Sequence, residues 1–153
     1  SKLKFENKCL TIIGDGPQKQ DLKNLIIELG LQDYVELTGK LTRDEMLPKL
    51  SVSNIFVLPS NSETFGVVYI EAMALGLPVI ATKCGGPEDF VNFSNGLLIE
   101  RNNEEQLIDA MEYMYSHYNE YKPEIISKDI INKYSPSKVA RQIESLYNEC
   151  LCY

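Results

Sequence analysis

The chain has 153 residues, of which 44% are hydrophobic and 24% charged, the balance of a globular domain with one core. Its 15 basic and 22 acidic side chains give a net charge of −7, which disfavours nucleic acid and acidic membranes as partners. No apolar run reaches the roughly 18 residues of a membrane span, and residues 1–6 lack a signal-peptide stretch, so the sequence predicts a cytoplasmic protein.

Short β-rich runs alternate with helical periodicity over the first hundred residues. The predicted strands are 9–13, 35–38, 55–58, 78–82 and 96–99, and the helices between them are 18–29, one capped by Thr42, about 66–75 and about 87–91. Strands without polar alternation are buried on both faces, and their alternation with helices implies parallel pairing. The sequence therefore predicts a doubly wound α/β domain with a parallel sheet.

The pattern changes after Arg101. Asn102 or Asn103 is predicted to cap a helix, and Pro123 and Pro136 divide the remainder into two more helices. We expect the apolar residues of the last helix to form its inner face, namely Val139, Ile143, Leu146 and Tyr147. With no linker or internal repeat, residues 1–153 are interpreted as one domain.

Cysteine and histidine usage argues against several kinds of site. The four cysteines are Cys9, Cys84, Cys150 and Cys152, and none forms a CxxC pair. We expect reduced thiols, with Cys9 packed as a small hydrophobe and Cys84 a second candidate for this. The only histidine, His117, lies in a polar helical stretch, so neither zinc binding nor a Ser-His or Cys-His mechanism is expected.

In an open parallel sheet, ligands bind at the carboxyl ends of the strands, and the loops there carry glycines. For any single loop, the alternative that its glycines only terminate a strand stays open. Gly14-Asp15-Gly16-Pro17 lacks the third glycine of a dinucleotide fingerprint, because position 19 is Lys. A phosphate loop of the G-x-x-x-x-G-K-[S/T] type is also missing from the sequence.

Two carboxylates bracket the start of the third predicted helix. Glu63 lies in the turn-rich loop before it, and Glu71 lies about a turn and a half inside it. The amides at the helix start can hold a phosphate or sugar hydroxyls, and carboxylates accept hydrogen bonds from vicinal diols. Alternatively, Glu63 is favoured by the helix macrodipole alone and Glu71 is an exposed polar residue. Because apolar residues flank Glu71, we expect its helix to be buried.

The stretch "LPSNSETFGVVYIEAMALGLPVIATKCGG" resembles the donor-binding signature of retaining glycosyltransferases of family 4, in the GT-B class. Glu63 and Glu71 match the E-x7-E motif of that family. "TIIGDGP", "YVELTGKL" and "YSPSKVARQIESLY" are similar to an earlier strand and loop, the base-binding strand and the closing helix of the family. The resemblance extends over nearly the whole chain.

The resemblance implies a role for each matching residue. Glu71 would bond the nucleotide ribose, and Glu63 would bond hydroxyls of the transferred sugar and act at the catalytic centre without being a nucleophile. The remaining donor-binding positions are Phe65, Gly66 and Val67 for the sugar and distal phosphate, Gly39, Lys40 and Leu41 for the base, and Gly16 for the diphosphate. Gly85 and Gly86 match a glycine pair of the family, and Glu88 would support their loop.

The resemblance also implies transfer of a hexose from a nucleotide diphosphate sugar, with retention and without a metal or other cofactor. The chain departs from the family pattern, because a strand and helix carrying a diphosphate-clamping Arg and Lys, and the whole amino-terminal domain, do not precede Cys9. We therefore expect a C-terminal fragment, inactive alone, whose acceptor glycan or lipid, and any peripheral membrane association, depend on the missing part.

Three alternatives stay open. The chain could be a nucleotide-sugar-binding module without catalysis, or part of a GT-B sugar-nucleotide epimerase. Hydrolysis of a glycoside by the two carboxylates is a further alternative, which their placement at a helix start does not favour.

Overall fold

The computed structural model describes residue 3 and residues 8–151. They form two compact units, one comprising the chain up to Val52 and the other the chain from Ser53 onwards. Each unit contains a parallel sheet and helices, which confirms the predicted α/β class. The strands pair as a sheet of two in the first unit and a sheet of three in the second.

The first unit is a strand-helix repeat. Its elements are β1 (Leu10–Ile13), α1 (Lys19–Glu28), β2 (Val35–Gly39) and α2 (Arg43–Ser51). β1 and β2 are parallel, with Leu10 opposite Val35. The Thr42 side chain caps α2 as predicted: its hydroxyl accepts the Glu45 N–H, and the Glu45 carboxylate accepts the Thr42 N–H.

The second unit continues the alternation and adds helices. Its elements are β3 (Phe56–Leu58), α3 (Val67–Ala74), β4 (Val79–Thr82), β5 (Gly96–Ile99), α4 (Glu104–Ser116), α5 (Pro123–Tyr134) and α6 (Pro136–Leu151), with short 3-10 helices at Gly86–Asp89 and Tyr118–Glu120. The parallel sheet has the order β3-β4-β5. Asn103 caps α4 by accepting the Gln106 N–H, one of the two predicted caps.

The core of the second unit forms around the central strand. All four residues of β4 are buried, as expected for a strand with neighbours on both edges and apolar residues on both faces. Tyr69 and Met73 of α3 have no exposed surface. α5 packs on α3, and Ser127 of α5 donates a hydrogen bond to the Ala74 carbonyl oxygen at 2.6 Å. This hydrogen bond fixes the end of α3 against α5.

Three packing expectations were wrong or only partly right. The apolar face of α6 is exposed among the described residues, with side chains from 37% (Val139) to 67% (Tyr147) accessible. Helical periodicity identifies which residues share a face, but it does not say whether anything covers that face. Cys9 is exposed because it lies ahead of β1 and not within it, while Cys84 is half-buried. Cys152 lies outside the described residues.

None of the helices in the described part of the chain combines the length and apolar character that crossing a membrane requires.

Candidate functional site

Two loops of the first unit meet at the carboxyl ends of its strands. The Gly14 N–H donates to the Gly39 carbonyl oxygen at 2.9 Å, so the loop after β1 touches the end of β2. Lys19 forms an ion pair with Asp15 at 3.1 Å, and its ammonium lies 3.1 Å from where a Cβ on Gly39 would be. The hydrogen bond from Lys19 lowers the pKa of the Asp15 carboxyl. The structure thus brings Gly16 and Gly39 into neighbouring loops and adds a cation there.

The other two positions predicted for the base differ in exposure. Lys40 is exposed, and Leu41 is partly buried. Gly39 is buried with φ of 74°, a left-handed conformation that favours glycine, so it ends β2 and turns the chain toward these two residues. The remaining predicted site residues belong to the second unit.

Backbone hydrogen bonds hold the Glu63 segment against the loop after β4. The Glu63 N–H donates to the Cys84 carbonyl oxygen at 3.4 Å, and the Gly86 N–H donates to the Glu63 carbonyl oxygen at 2.9 Å. The Glu88 carboxylate accepts the Gly85 N–H at 3.0 Å, which is the supporting contact expected of Glu88. The carbonyl oxygen of Glu63 lies 2.7 Å from where a Cβ on Gly85 would be, so this approach requires glycine.

Gly66 starts helix α3 in a left-handed conformation. Its φ is 88° and ψ is 52°, and an added Cβ would lie 2.7 Å from the Tyr69 ring and 3.2 Å from the Glu63 Cγ. Within the described residues, no side chain caps this helix. Among the described residues, the first amides of α3 beside Glu63 thus lack a side-chain cap and can donate to an anion.

Glu71 lies on the more accessible face of α3. This face also contains Val67 one turn earlier, at 61% exposure, and Leu75 one turn later, at 42%. Glu71 itself is half-buried, whereas Ala72 and Met73 beside it are fully buried. The expectation of a buried helix was therefore right for one face only, because the neighbours of Glu71 in sequence point into the core and Glu71 does not.

Tyr69 and Thr82 anchor the loop that follows β3. The Tyr69 hydroxyl donates to the Leu58 carbonyl oxygen at the end of β3, and the Thr82 hydroxyl donates to the Ser60 carbonyl oxygen. The Tyr69 side chain is fully buried and Thr82 is 1% exposed. Sequence reasoning missed both residues, although a hydroxyl in an apolar strand or helix signals a buried group that must find a partner.

Burial raises the pKa of the Tyr69 phenol to about 12, and the charges of Cys84 and Glu63 contribute to the rise. Because the folded pKa exceeds the ordinary value of about 10, this contribution to stability is complete below pH 10 and is lost between about pH 10 and 12. From pH 9 to 11.5 we expect the wild-type chain to lose about 2 kcal/mol more unfolding free energy than Tyr69→Phe.

Urea unfolding at the two pH values measures this difference, and the comparison cancels the titration of lysines. At pH 9 the Phe variant should be about 1 kcal/mol less stable, because the Leu58 carbonyl oxygen loses the hydrogen bond from the Tyr69 hydroxyl. Tyr147→Phe, at a 67% exposed tyrosine of α6, serves as control. Parallel pH profiles for wild type and Tyr69→Phe would contradict the raised pKa.

A cavity of about 350 Å³ lies at the carboxyl ends of the second sheet. Thr82 and Ile99 at the strand ends line it, and its charged lining residues are the carboxylates Glu100 and Glu104. Glu100 is paired with the Lys83 ammonium, and the described residues that line the cavity include no cation, so the cavity offers an anion less than the start of α3 does. Among the described residues, no group of three or more His, Cys, Asp or Glu side chains is placed to hold a metal ion.

Comparison with known proteins identifies relatives of this chain. The family model described as "Glycosyl transferases group 1" matches residues 1–133. The chain is 32% identical over 139 residues to the gpi3 subunit of phosphatidylinositol N-acetylglucosaminyltransferase from Schizosaccharomyces pombe, covering 90% of this chain and 30% of that protein. It is 30% identical over 116 residues to a GDP-mannose-dependent alpha-(1-6)-phosphatidylinositol monomannoside mannosyltransferase from Mycobacterium tuberculosis, covering 71% and 30%.

The fold is also similar to that of a solved structure. The crystal structure of HepE from Anabaena in complex with UDP aligns with a TM-score of 0.79 and 23% identity, covering 94% of this chain and 42% of that one. The chain therefore spans less than half the length of each of these three proteins.

Proposed function

Because the chain belongs to the glycosyl transferases group 1, we propose that it is the C-terminal, donor-binding domain of a longer enzyme. This enzyme transfers a hexose from a nucleoside diphosphate sugar to an acceptor hydroxyl, with retention at the anomeric carbon. The observation that carries the proposal is the placement of Glu63, which is fixed at the junction of two strand-end loops directly before the uncapped start of α3.

Glu63 and the start of α3 act together in the proposed reaction. The departing diphosphate gains negative charge in the transition state, and the amides of Phe65, Gly66 and Val67 stabilise that charge more than they stabilise the ground state. Glu63 accepts hydrogen bonds from the sugar hydroxyls, and its charge offsets the positive charge that develops on the ring. No metal or other cofactor enters the proposal.

Glu71 binds the other end of the donor. We assign its carboxylate to the ribose diol of the nucleotide, since it lies on the more accessible face of α3, about a turn and a half from the start of the helix. We retain the roles that the resemblance implies for Gly16 at the diphosphate and for Gly39, Lys40 and Leu41 at the base. The relatives support a nucleotide-sugar donor, since one is named as GDP-mannose-dependent and HepE was crystallised with UDP.

The acceptor is assigned to a part of the longer enzyme that this chain does not include. We propose that it is a glycan or lipid, that any membrane contact is made through that other part, and that this domain works in the cytoplasm. The 153-residue chain alone is then expected to bind donor without transferring sugar.

The proposal is tested by titrating the isotope-labelled chain with UDP-glucose, UDP-N-acetylglucosamine and GDP-mannose while recording amide chemical shifts. We expect either the uridine or the guanosine nucleotides to bind, and binding to change the amide chemical shifts of Phe65–Val68 and Glu71 together. Free glucose and free mannose serve as controls and should leave these amide chemical shifts unchanged. Shifts confined to other residues, or none with any sugar nucleotide, would overturn the assignment of the site.

A further inference from the structure

Three aromatic rings, those of Phe65, Phe90 and Tyr134, contact one another beside the Glu63 loop, and the centroid of Phe90 also lies 6.2 Å from that of Tyr69. The centroids of Phe65 and Tyr134 are 5.6 Å apart, those of Phe90 and Tyr134 6.2 Å, and those of Phe65 and Phe90 6.0 Å, all with edge-to-face geometry. Tyr134 is the last residue of α5, and Phe90 directly follows the 3-10 helix Gly86–Asp89. The cluster thus joins three separate segments of the second unit.

Phe65 is the member of the cluster that belongs to the candidate site. It lies two residues after Glu63 and directly before Gly66, so a displacement of Phe65 is passed through the backbone to both the Glu63 segment and the start of α3. Phe90 is 3% exposed and holds one side of the Phe65 ring, whereas Phe65 itself remains 40% exposed. Tyr134 supplies the second aromatic contact to this ring.

The backbone beside Phe65 also supports the loop, in addition to the Thr82 hydroxyl bonded to Ser60. Gly86 lies so close to Phe65 that an added Cβ would be 2.4 Å from the Phe65 Cα, and the Gly86 N–H bonds the Glu63 carbonyl oxygen. This contact fixes one face of the loop, and the aromatic rings fix the Phe65 side chain. Without Tyr134, the Phe65 ring would contact one ring of the cluster, that of Phe90.

We propose that Tyr134 is a positioning residue: its ring, acting through Phe65, holds the Glu63 loop in the geometry that recognises the sugar of the donor. The identity of that ligand rests on the proposed function, whereas the coupling of Tyr134 to the loop does not. The contact is made through ring edges, so phenylalanine can replace tyrosine at this position and a small side chain cannot.

Amide hydrogen exchange on the ligand-free chain tests the coupling directly. In Tyr134→Ala, we expect the Gly86 amide, which bonds Glu63, to exchange about tenfold faster. The Val79 amide, bonded to the Asn95 carbonyl oxygen in the core, should be unchanged. Tyr134→Phe should restore the slow exchange, and Tyr147→Ala on the exposed face of α6 is the matched control. Equal acceleration at Gly86 and Val79, or none at Gly86, would overturn the positioning role.

A second measurement separates this inference from the proposed function. With the nucleotide that binds the wild type, Tyr134→Ala should weaken the nucleoside diphosphate sugar about tenfold more than the nucleoside diphosphate, since the Glu63 loop is assigned to the sugar in addition to the distal phosphate. Equal losses for both ligands would contradict the positioning role and leave the proposed donor site standing. Accelerated Gly86 exchange in a chain that binds no sugar nucleotide would support the role and contradict the proposed function.

Discussion

Glu71→Ala is expected to weaken binding of nucleoside diphosphates and of their sugar conjugates by the same factor, about 10- to 100-fold. The reason is that the carboxylate is assigned to the ribose, which both ligands contain. A hydrogen bond to a charged group contributes about 1.5–3 kcal/mol, which corresponds to this range. Isothermal titration of the 153-residue chain with both ligands measures it, with melting temperatures recorded to confirm folding.

Glu63→Ala should give the complementary pattern. Its carboxylate is assigned to the sugar, so the variant should lose the additional affinity for the sugar conjugate and bind the nucleoside diphosphate as the wild type does. Glu144→Ala, at an exposed carboxylate of α6, should change neither affinity. If Glu63→Ala weakens the nucleoside diphosphate, or Glu71→Ala leaves it unchanged, the assignment of the two acids to the two ends of the donor is wrong.

The structure explains why a carboxylate at position 63 can be held accurately although it lies in a loop. Residues on loops are mobile unless their backbone is bonded, and here both the N–H and the carbonyl oxygen of Glu63 are bonded to the loop after β4. That loop is in turn fixed by Glu88 through the Gly85 amide. The side chain is thereby presented from a rigid junction, as recognition of one sugar requires.

The sequence was sufficient to predict the strands, whereas the assignment of donor-binding residues stays a prediction. β5 has the predicted bounds, and the other strands differ by one residue at one end. Strand cores are set by short apolar runs ended by Gly or Pro, and both signals are local. The Thr42 cap was predictable for the same reason, because a capping box involves residues only three positions apart.

The contacts that shape the site could not be predicted, because they join residues distant in sequence. Phe65 meets Tyr134 across 69 positions, and Thr82 bonds Ser60 across 22. The prediction of side-chain burial failed for a similar reason. Periodicity predicts an apolar face for α6, but nothing local in the sequence indicates whether another element covers that face. Half-burial of Glu71 likewise depends on the direction of the helix axis against the sheet, which composition does not determine.

Gly86→Ala is expected to lower the free energy of unfolding by about 3 kcal/mol, the upper end of typical overpacking costs. The added Cβ would lie 2.4 Å from the Phe65 Cα and 2.5 Å from its carbonyl oxygen. Both are backbone atoms, so the strain can be relieved only by moving the Glu63 loop, which breaks the hydrogen bond from Gly86 to Glu63.

Chemical denaturation of the wild type, Gly86→Ala and Gly16→Ala tests this expectation. Gly16 is the matched stability control, because an added Cβ there meets no atom within 4 Å and its φ is not in the left-handed region. Its substitution should change stability by no more than about 0.5 kcal/mol. If Gly86→Ala lowers the free energy of unfolding no more than Gly16→Ala does, the loop after β4 is not in backbone contact with the Glu63 loop. The fixed junction that presents Glu63 would then lose its physical basis.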